Sequence, residues 1–167
     1  MSRGFVKEDD QEEIPIVPPR ADLPEGVTNY VTQEGMNELL AEKQTLLDEK
    51  SRLDSPNEDE KRIALNHINA KLLLLEQRIA TAQIVRPNEQ APGEVRFGAK
   101  IRLKIEANLS IQTFQIVGVD EADISKGKIS FTSPLARLLI NKKIGDKAVL
   151  KRGREDLVYE IMDIRYP

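Results

Sequence analysis

Four carboxylates lie within seven consecutive positions of this chain, at Asp54, Glu58, Asp59 and Glu60. Such a cluster is typical of a site for a hard cation such as Mg²⁺, which takes few protein carboxylates and completes its shell with water and substrate phosphates. The cluster is equally typical of a helix start, because acids in the first turn stabilise the positive end of the helix dipole. Ser55 and Glu58, with Pro56 between them, have the spacing of a capping box. Both interpretations stay open, and Asp54 is the acid that capping leaves unexplained.

The rest of the sequence offers no self-contained active site. The chain has no Cys and a single His, which excludes disulfides, thiolate zinc sites, cysteine nucleophiles and His-rich metal sites. It contains no glycine-rich phosphate loop, no Gly-x-Ser-x-Gly elbow and no His-Glu-x-x-His pattern. His67 has no neighbour at a spacing that completes a metal site. We therefore expect a protein that is not itself an enzyme and that has no intrinsic cofactor.

Charge is nearly balanced over the whole chain but uneven between its parts. Lys and Arg number 25 against 28 Asp and Glu, a formal net charge of −3. This balance argues against a protein that coats duplex DNA, because such binding needs a broad excess of cations. Residues 1–31 and 32–85 are acidic, whereas residues 86–167 hold fifteen bases against eleven acids. The bases of this last part suit either a solvated surface or an anionic partner, and both interpretations stay open.

No apolar run approaches the roughly 20 residues that cross a bilayer, and the first residues lack the apolar stretch of a secretory signal. We expect a soluble, cytoplasmic protein with no membrane partner.

Composition divides the chain into an arm, a helical unit, a linker and a second ordered unit. Residues 1–29 hold an acidic run and four prolines, and they cannot bury enough apolar area to offset their ordering entropy alone. We expect a flexible arm there, mobile or draped over the rest. Residues 86–94 have the Pro, Asn and Gly content of a linker.

Residues 30–85, here called the hairpin, show the period of two helices. Leu39, Leu46 and Leu53 recur every seven residues, and a second stripe runs from Leu65 to Ala82 at alternating spacings of three and four. The short connection between the stripes forces the helices antiparallel. The four carboxylates therefore lie at its end, and residues 54–60 are called the acidic tip. Because the seam is satisfied within one hairpin, we expect a monomer; a passive interaction module, with the hairpin as an oligomerising coiled coil, is the alternative.

Residues 95–167 change to the period of strands. Ala99 to Ile105 alternate apolar and charged residues, as in a strand with one buried face. Further strands are predicted over 111–118, 128–132, 147–152 and 157–165, with a short helix over 133–140. The fold class is therefore α+β: an N-terminal antiparallel two-helix coiled coil, then a small antiparallel sheet with one short helix.

One ordered series of motifs carries a family resemblance. The series comprises Phe97-Gly98-Ala99, Phe114 to Asp123, Gly127 to Ser130, Ser133 to Ile140 and Lys143 to Asp146. It resembles the C-terminal domain of bacterial Gre transcription elongation factors, which stimulate transcript cleavage. Tyr30 to Gly35 and Arg78 to Ala82 resemble the start and end of the Gre coiled coil, so the resemblance covers roughly residues 30–166. Ser2 to Glu8 resembles the short Gre-B-like paralogues.

This resemblance implies an FKBP-like fold for residues 95–167 and bacterial RNA polymerase as the partner. In the family the hairpin enters the secondary channel of the polymerase and the globular domain docks at the channel rim, with indirect contact to nascent RNA or DNA. The tip of active members helps hold a catalytic Mg²⁺ in the polymerase site, so the polymerase cleaves its own transcript. By resemblance, the docking residues are Asp120, Glu121, Asp123, Ser133, Pro134 and Arg137. A solvated turn and a helix start explain the same residues equally well.

The tip departs from the family pattern. The family motif is Asp-Leu-Ser-Glu-Asn followed by an aromatic residue, and this chain has Leu53-Asp54-Ser55-Pro56-Asn57-Glu58 with no aromatic nearby. Only Asp54 and Glu58 carry over as Mg²⁺ ligands shared with the polymerase, and the coiled coil is shorter than in the main factors. A regulator or inhibitor that occupies the channel without stimulating cleavage is therefore the alternative. Prolyl isomerisation is disfavoured, because residues 95–167 lack the aromatics to line such a pocket.

Overall fold

The computed structural model describes residues 15–87 and 93–167. Its first part is the hairpin, which consists of α1 over Gln33–Ser51 and α2 over Glu58–Thr81. Two short strands flank the helices, β1 over Tyr30–Val31 and β2 over Gln83–Ile84. They pair in parallel, with Val31 opposite Ile84. The two ends of the hairpin are thus joined by a sheet at its base.

The predicted helical seam is the core of the hairpin. Leu39 and Leu46 of α1 are buried against Ile68, Leu72 and Leu75 of α2, and Leu75 is fully enclosed. Fully burying an aliphatic side chain of this size contributes about 1.5–3 kcal/mol to folding. The predicted antiparallel pairing of the two helices follows from this seam and the short connection at residues 52–57.

The second part is a five-stranded sheet with one short α-helix. Its strands are β3 (Lys100–Ile105), β4 (Ile111–Val117), β5 (Lys128–Ser130), β6 (Lys147–Arg152) and β7 (Glu155–Arg165). Their spatial order is β5-β4-β3-β7-β6. A 3₁₀ helix over Ile124–Lys126 precedes β5, and α3 over Pro134–Leu139 follows it. The α+β class is confirmed; the likeness to the FKBP fold stays a prediction.

One strand pair differs from the predicted antiparallel sheet. β5 runs parallel to β4, with Ile116 opposite Ile129. The other three strand pairs of this sheet are antiparallel. The prediction of a uniformly antiparallel sheet is therefore wrong for the β4–β5 pair. The segment between β4 and β5 is long enough to carry the chain back along the sheet and contains its own 3₁₀ turn. A tight hairpin, by contrast, requires antiparallel neighbours.

The apolar face of the sheet forms the main core. Ile101, Leu103 and Ile105 of β3 point into it, and Lys100 and Arg102 lie on the exposed face, as the alternation predicts. Ala136 and Leu139 on α3 cover the same face and are fully enclosed. This core is separate from the hairpin seam.

The base of the hairpin packs against the loop that follows β4, residues 118–123, here called the junction loop. A Cβ built on Gly118 comes within 2.6 Å of the carbonyl oxygen of Tyr30, so only glycine permits this approach. The ring of Tyr30 packs 6.0 Å from Phe97 and 5.6 Å from Phe131, both in the second part. Edge-on aromatic contacts of this kind add about 0.5–1.5 kcal/mol beyond burial. The two parts of the chain therefore share a packed junction.

The predicted arm and linker fall partly outside the described residues, namely at 1–14 and 88–92. Residues 15–29, here called the strap, have no helix or strand and lie against the hairpin. Neither of the long helices in the described ranges has the apolar length that a bilayer crossing needs.

Candidate functional site

The acidic tip forms where α1 stops and α2 starts. The backbone N–H of Arg52 donates to the carbonyl of Asp48 at 3.1 Å and closes α1. The side chain of Asn57 accepts from the backbone N–H groups of Asp59 and Glu60, at 3.0 and 3.3 Å, and opens α2. Pro56 precedes this cap, because a proline inside the helix would remove a backbone donor.

The predicted capping box is wrong in its residues. Asn57 is the N-cap, so Glu58 occupies the first helical position rather than the third. The hydroxyl of Ser55 accepts from the backbone N–H of Asn57 at 3.3 Å and lies 3.4 Å from the Glu60 carboxylate. An asparagine caps as well as a serine, and Asn57 lies two positions closer to the helix than Ser55.

The four tip carboxylates all lie in solvent. Asp59 pairs with Arg62 at 3.6 Å, and Glu60 is near Ser55. Among the described residues, neither Asp54 nor Glu58 has a hydrogen bond or ion pair through its carboxylate. These two groups are thus free to bind a cation or a donor from a partner.

A cation at the tip would need ligands from elsewhere. Within residues 15–87 and 93–167, no group of three Asp, Glu or His side chains could hold a metal ion. The oxygen chemistry of Asp54 and Glu58 suits Mg²⁺, which accepts one or two carboxylates beside waters and phosphate oxygens. The tip therefore fits a partial ligand set and is not a metal site by itself.

Asp120, predicted as a docking residue, lies in the junction between the two parts. Its carboxylate accepts from Arg20 Nε at 3.0 Å and from Arg78 Nη1 at 3.2 Å. The Asp120 side chain is only 6% exposed. Both acceptor oxygens are therefore engaged within the chain.

Glu121 is buried even more deeply on the other side of the same loop. The hydroxyl of Thr32, which also caps α1, donates to Glu121. Lys128 Nζ lies 3.4 Å from the second carboxylate oxygen and also 3.4 Å from Glu34 on α1. Burial opposes the charged form of Lys128, but the neighbouring carboxylates of Glu121 and Glu34 outweigh it and raise the pKa of the ammonium. Glu121 thus joins the hairpin to β5.

Asp123 forms a local turn at the end of the junction loop. Its carboxylate accepts from the hydroxyl and backbone N–H of Ser125, at 2.6 and 3.0 Å, and caps the 3₁₀ helix. These bonds lower the pKa of Asp123, with the Ser125 hydroxyl as the largest cause. The structure accounts for Asp123 as a turn residue.

Ser133, Pro134 and Arg137 form a separate surface at the start of α3. The Ser133 hydroxyl accepts from the Ala136 backbone N–H at 3.3 Å, and Pro134 occupies the first turn. Pro134 and Arg137 are exposed. The six predicted docking residues therefore divide into two engaged at the junction, one in a turn and three at an accessible helix start.

Sequence reasoning missed the donors at the junction, which lie on the strap, on the hairpin and on β5. Arg20, Thr32, Arg78 and Lys128 supply the donors that Asp120 and Glu121 accept from. Three of them do lie inside segments that resemble Gre sequences, at the start and end of the coiled coil and in β5. An arginine within the Pro-rich strap gave no signal, because its partners are 22 and 100 positions away.

Comparison with known proteins gives a family match to the second part and similar relatives over about 100 residues. Residues 87–166 match the family model "Transcription elongation factor, GreA/GreB, C-term". The chain is 41% identical over 99 residues to the transcription elongation factor GreA of Acidiphilium cryptum, covering 59% of this chain and 63% of that protein. It is 42% identical over 100 residues to GreA of Thioalkalivibrio sulfidiphilus, with the same two coverages. The chain thus spans under two thirds of the length of these curated relatives.

Solved structures also align with most of the chain. A prokaryotic transcription elongation factor GreA/GreB from Nitrosomonas europaea is 20% identical with a TM-score of 0.43, covering 82% of this chain and 98% of that one. The GreA factor homolog 1 of Thermus thermophilus is 20% identical with a TM-score of 0.39, covering 83% and 99%.

Proposed function

We propose that this chain is a GreA/GreB-family transcription elongation factor that binds bacterial RNA polymerase at the secondary channel and modulates elongation, because residues 87–166 match the family model. The family match of these residues is the observation that carries the proposal. The hairpin enters the channel, and the second part docks at the rim. Contact with nascent RNA or DNA is indirect, through the elongation complex in the cytoplasm.

In the proposed complex, the docking surface is the exposed start of α3. Ser133, Pro134 and Arg137 lie at an accessible helix end. Asp120 and Glu121 support docking through the junction, because their carboxylates are already held by the hairpin and the strap. They keep the hairpin and the docking surface in one arrangement. Asp123 shapes the loop that joins them.

The tip acts on the polymerase and performs no catalysis of its own. Asp54 and Glu58 are exposed and free of partners among the described residues, so their carboxylates are available to complete a ligand set in the polymerase site. A Mg²⁺ ion bound there would supply stabilisation of the charge that develops when a backtracked transcript is cut. Asp59 and Glu60 stabilise the start of α2 and add negative potential at the tip. The chain needs no cofactor of its own.

Channel occupancy without cleavage is the second candidate function. The tip lacks the aromatic residue of the Gre motif, and α1 has 19 residues, which span about 28 Å at 1.5 Å per residue. A hairpin of this length that does not reach the catalytic metal regulates the polymerase by blocking the secondary channel.

A reconstituted cleavage assay tests the proposal. Purified protein is added to stalled, backtracked polymerase complexes, with complex formation measured in the same samples. We expect binding with faster cleavage, and we expect the double substitution Asp54→Asn with Glu58→Gln to abolish the acceleration while binding persists. Glu155→Gln, which changes an exposed acid at the start of β7 in the second part, is the control and leaves the rate unchanged.

Each outcome assigns a function. Binding without acceleration supports the obstructing regulator. Absence of binding to core polymerase overturns both functions. In that case the passive coiled-coil module remains, and light scattering that shows a stable dimer would support it.

A further inference from the structure

Arg20 of the strap binds two acidic groups that belong to different parts of the molecule. Its Nη1 and Nη2 atoms donate to the two carboxylate oxygens of Glu42 on α1, at 2.7 and 3.0 Å. Its Nε donates to Asp120 in the junction loop at 3.0 Å. One guanidinium thus spans the hairpin and the second part, using the fixed fork that only arginine provides.

A second arginine closes the same network from the opposite helix. Arg78 of α2 donates to the other oxygen of Asp120 at 3.2 Å and to the backbone carbonyl of Ala21 in the strap. Asp120 is therefore bound by the strap and by α2 at once. The side chains of Arg20, Arg78 and Asp120 are 18%, 16% and 6% exposed, so solvent screens these pairs weakly.

The strap borders a cleft on the hairpin. Pro18, Pro19 and Ala21 are exposed and line a cleft of about 360 Å³ whose other walls include Leu46 and Leu74. Proline restricts the backbone before folding, so fixing this segment costs less conformational entropy than fixing an ordinary loop. Residues 18–21 are held by the ion pairs of Arg20 and by the hydrogen bond from Arg78 to the carbonyl of Ala21.

We infer that residues 18–21 act as a brace in which Arg20 fixes the direction of the hairpin relative to the second part, so that Arg20 positions the tip for channel binding. The last clause rests on the proposed function; the brace does not. Arg20 contacts both α1 and the junction loop through one side chain. Without Arg20 the hairpin keeps its base contacts through Thr32 and Tyr30 but loses the link from Glu42 on α1 to Asp120.

Distance measurements in the free protein test the brace. The chain has no Cys, so Lys50→Cys near the tip and Lys151→Cys in the second part, both exposed, take spin labels at two unique sites. We expect a narrow distance distribution in the labelled parent and a clearly broader one after Arg20→Ala. Arg20→Lys restores it only in part, because a lysine cannot donate to both carboxylates in the same geometry.

Two further variants separate the brace from general damage. Glu42→Gln removes the charged partner of Arg20 on α1 and leaves Asp120 paired with Arg20 and Arg78, and we expect intermediate broadening. Arg96→Ala removes an exposed arginine that pairs with Glu94 at 3.2 Å and has no hydrogen bond or ion pair to the strap among the described residues, and it is the matched control with no broadening. An unchanged distribution in Arg20→Ala, or equal broadening in Arg96→Ala, would overturn the inference.

Polymerase binding then measures the consequence for function. If the free hairpin samples several directions, only a fraction of molecules can bind, and the apparent affinity falls by that fraction. We expect Arg20→Ala to weaken binding roughly 3- to 10-fold, with Arg96→Ala unchanged. If no variant, nor the parent, binds polymerase, the proposed function fails while the distance result still decides the brace.

Discussion

Lys128 shows how much one side chain can depend on the junction. It lies on β5 yet reaches Glu34 on α1 and Glu121 in the junction loop, both at 3.4 Å, and Glu38 at 4.0 Å. Because three carboxylates surround the single ammonium of Lys128, these contacts stabilise the protein only while Lys128 is charged. The junction is therefore expected to respond to alkaline pH.

We predict that stability falls at alkaline pH through Lys128. The pKa of Lys128 is raised in the folded protein, so its contribution is fully present below the ordinary lysine pKa of about 10.4 and is lost as pH rises through the higher folded value. The melting temperature, measured from pH 8 to 12, falls less steeply in Lys128→Arg, which keeps its charge. Lys151→Arg, an exposed residue on β6, is the control. Identical profiles for Lys128→Arg and the parent would contradict this role.

Tyr166 performs a comparable role at the end of the second part. Its hydroxyl accepts from the backbone N–H of Arg96 at 3.1 Å and donates to the carbonyl of Glu94. Partial burial raises the pKa of the phenol, and the Arg96 contacts oppose that shift. The two ends of the domain are thus joined by one hydroxyl.

We predict that Tyr166→Phe lowers the free energy of unfolding by about 1 kcal/mol, the usual contribution of such hydrogen bonds. Urea unfolding measures the change. Tyr30→Phe is the control, because among the described residues the Tyr30 hydroxyl has no hydrogen bond. Equal losses in the two variants would show that the hydroxyl of Tyr166 is not the cause.

At the scale of elements, the start of α2 decides how the tip is presented. Asn57 satisfies two backbone donors, and the exposed acids that follow stabilise the positive end of the helix dipole. A frayed first turn would move Glu58, one of the two proposed ligands.

We predict that Asn57→Ala destabilises the hairpin by about 1 kcal/mol and speeds hydrogen exchange in the first turn of α2. Ser55→Ala, which removes the residue of the predicted capping box, changes both by little. A larger effect from Ser55→Ala than from Asn57→Ala would support the predicted capping box of Ser55 and Glu58 instead.

The elements themselves are largely predictable, whereas their contacts are not. The three α-helices and the five strands of the second part follow from apolar periods of 3.6 and 2 and from caps at Thr32 and Ser133. Hydrophobic periodicity does not predict β1 and β2, because a strand of two residues contains no repeat. It also does not predict that β4 and β5 pair in parallel, because their relative direction depends on the segment that connects them rather than on either strand. The role of Asp120 was missed for the same reason, since its partners are remote in sequence.

At the scale of the whole molecule, the hairpin and the second part meet through backbone as well as charge. Gly118 brings the junction loop against the carbonyl of Tyr30, and Gly35 on α1 lies against Glu121. The two sites differ in what a methyl group would meet: a fixed backbone oxygen at Gly118 and the end of a side chain at Gly35.

We predict that Gly118→Ala destabilises the protein by roughly 1–3 kcal/mol, the usual cost of overpacking, and broadens the tip-to-domain distance distribution. Gly35→Ala costs less, because a side chain yields more readily than backbone and alanine favours the helix. Thermal unfolding with the spin-labelled pair measures both. A neutral Gly118→Ala would show that the junction tolerates separation.

The parallel pair of β1 and β2 has an evolutionary consequence. Because Tyr30 and Gln83 are neighbours in space, everything between them is an insertion whose two ends meet at one point on the scaffold. Adding a heptad to each helix would lengthen the finger by about 10 Å and leave the brace, the junction and the docking surface untouched. Insertions or deletions within the two helices can therefore change the length of the hairpin during evolution without changing the rest of the fold.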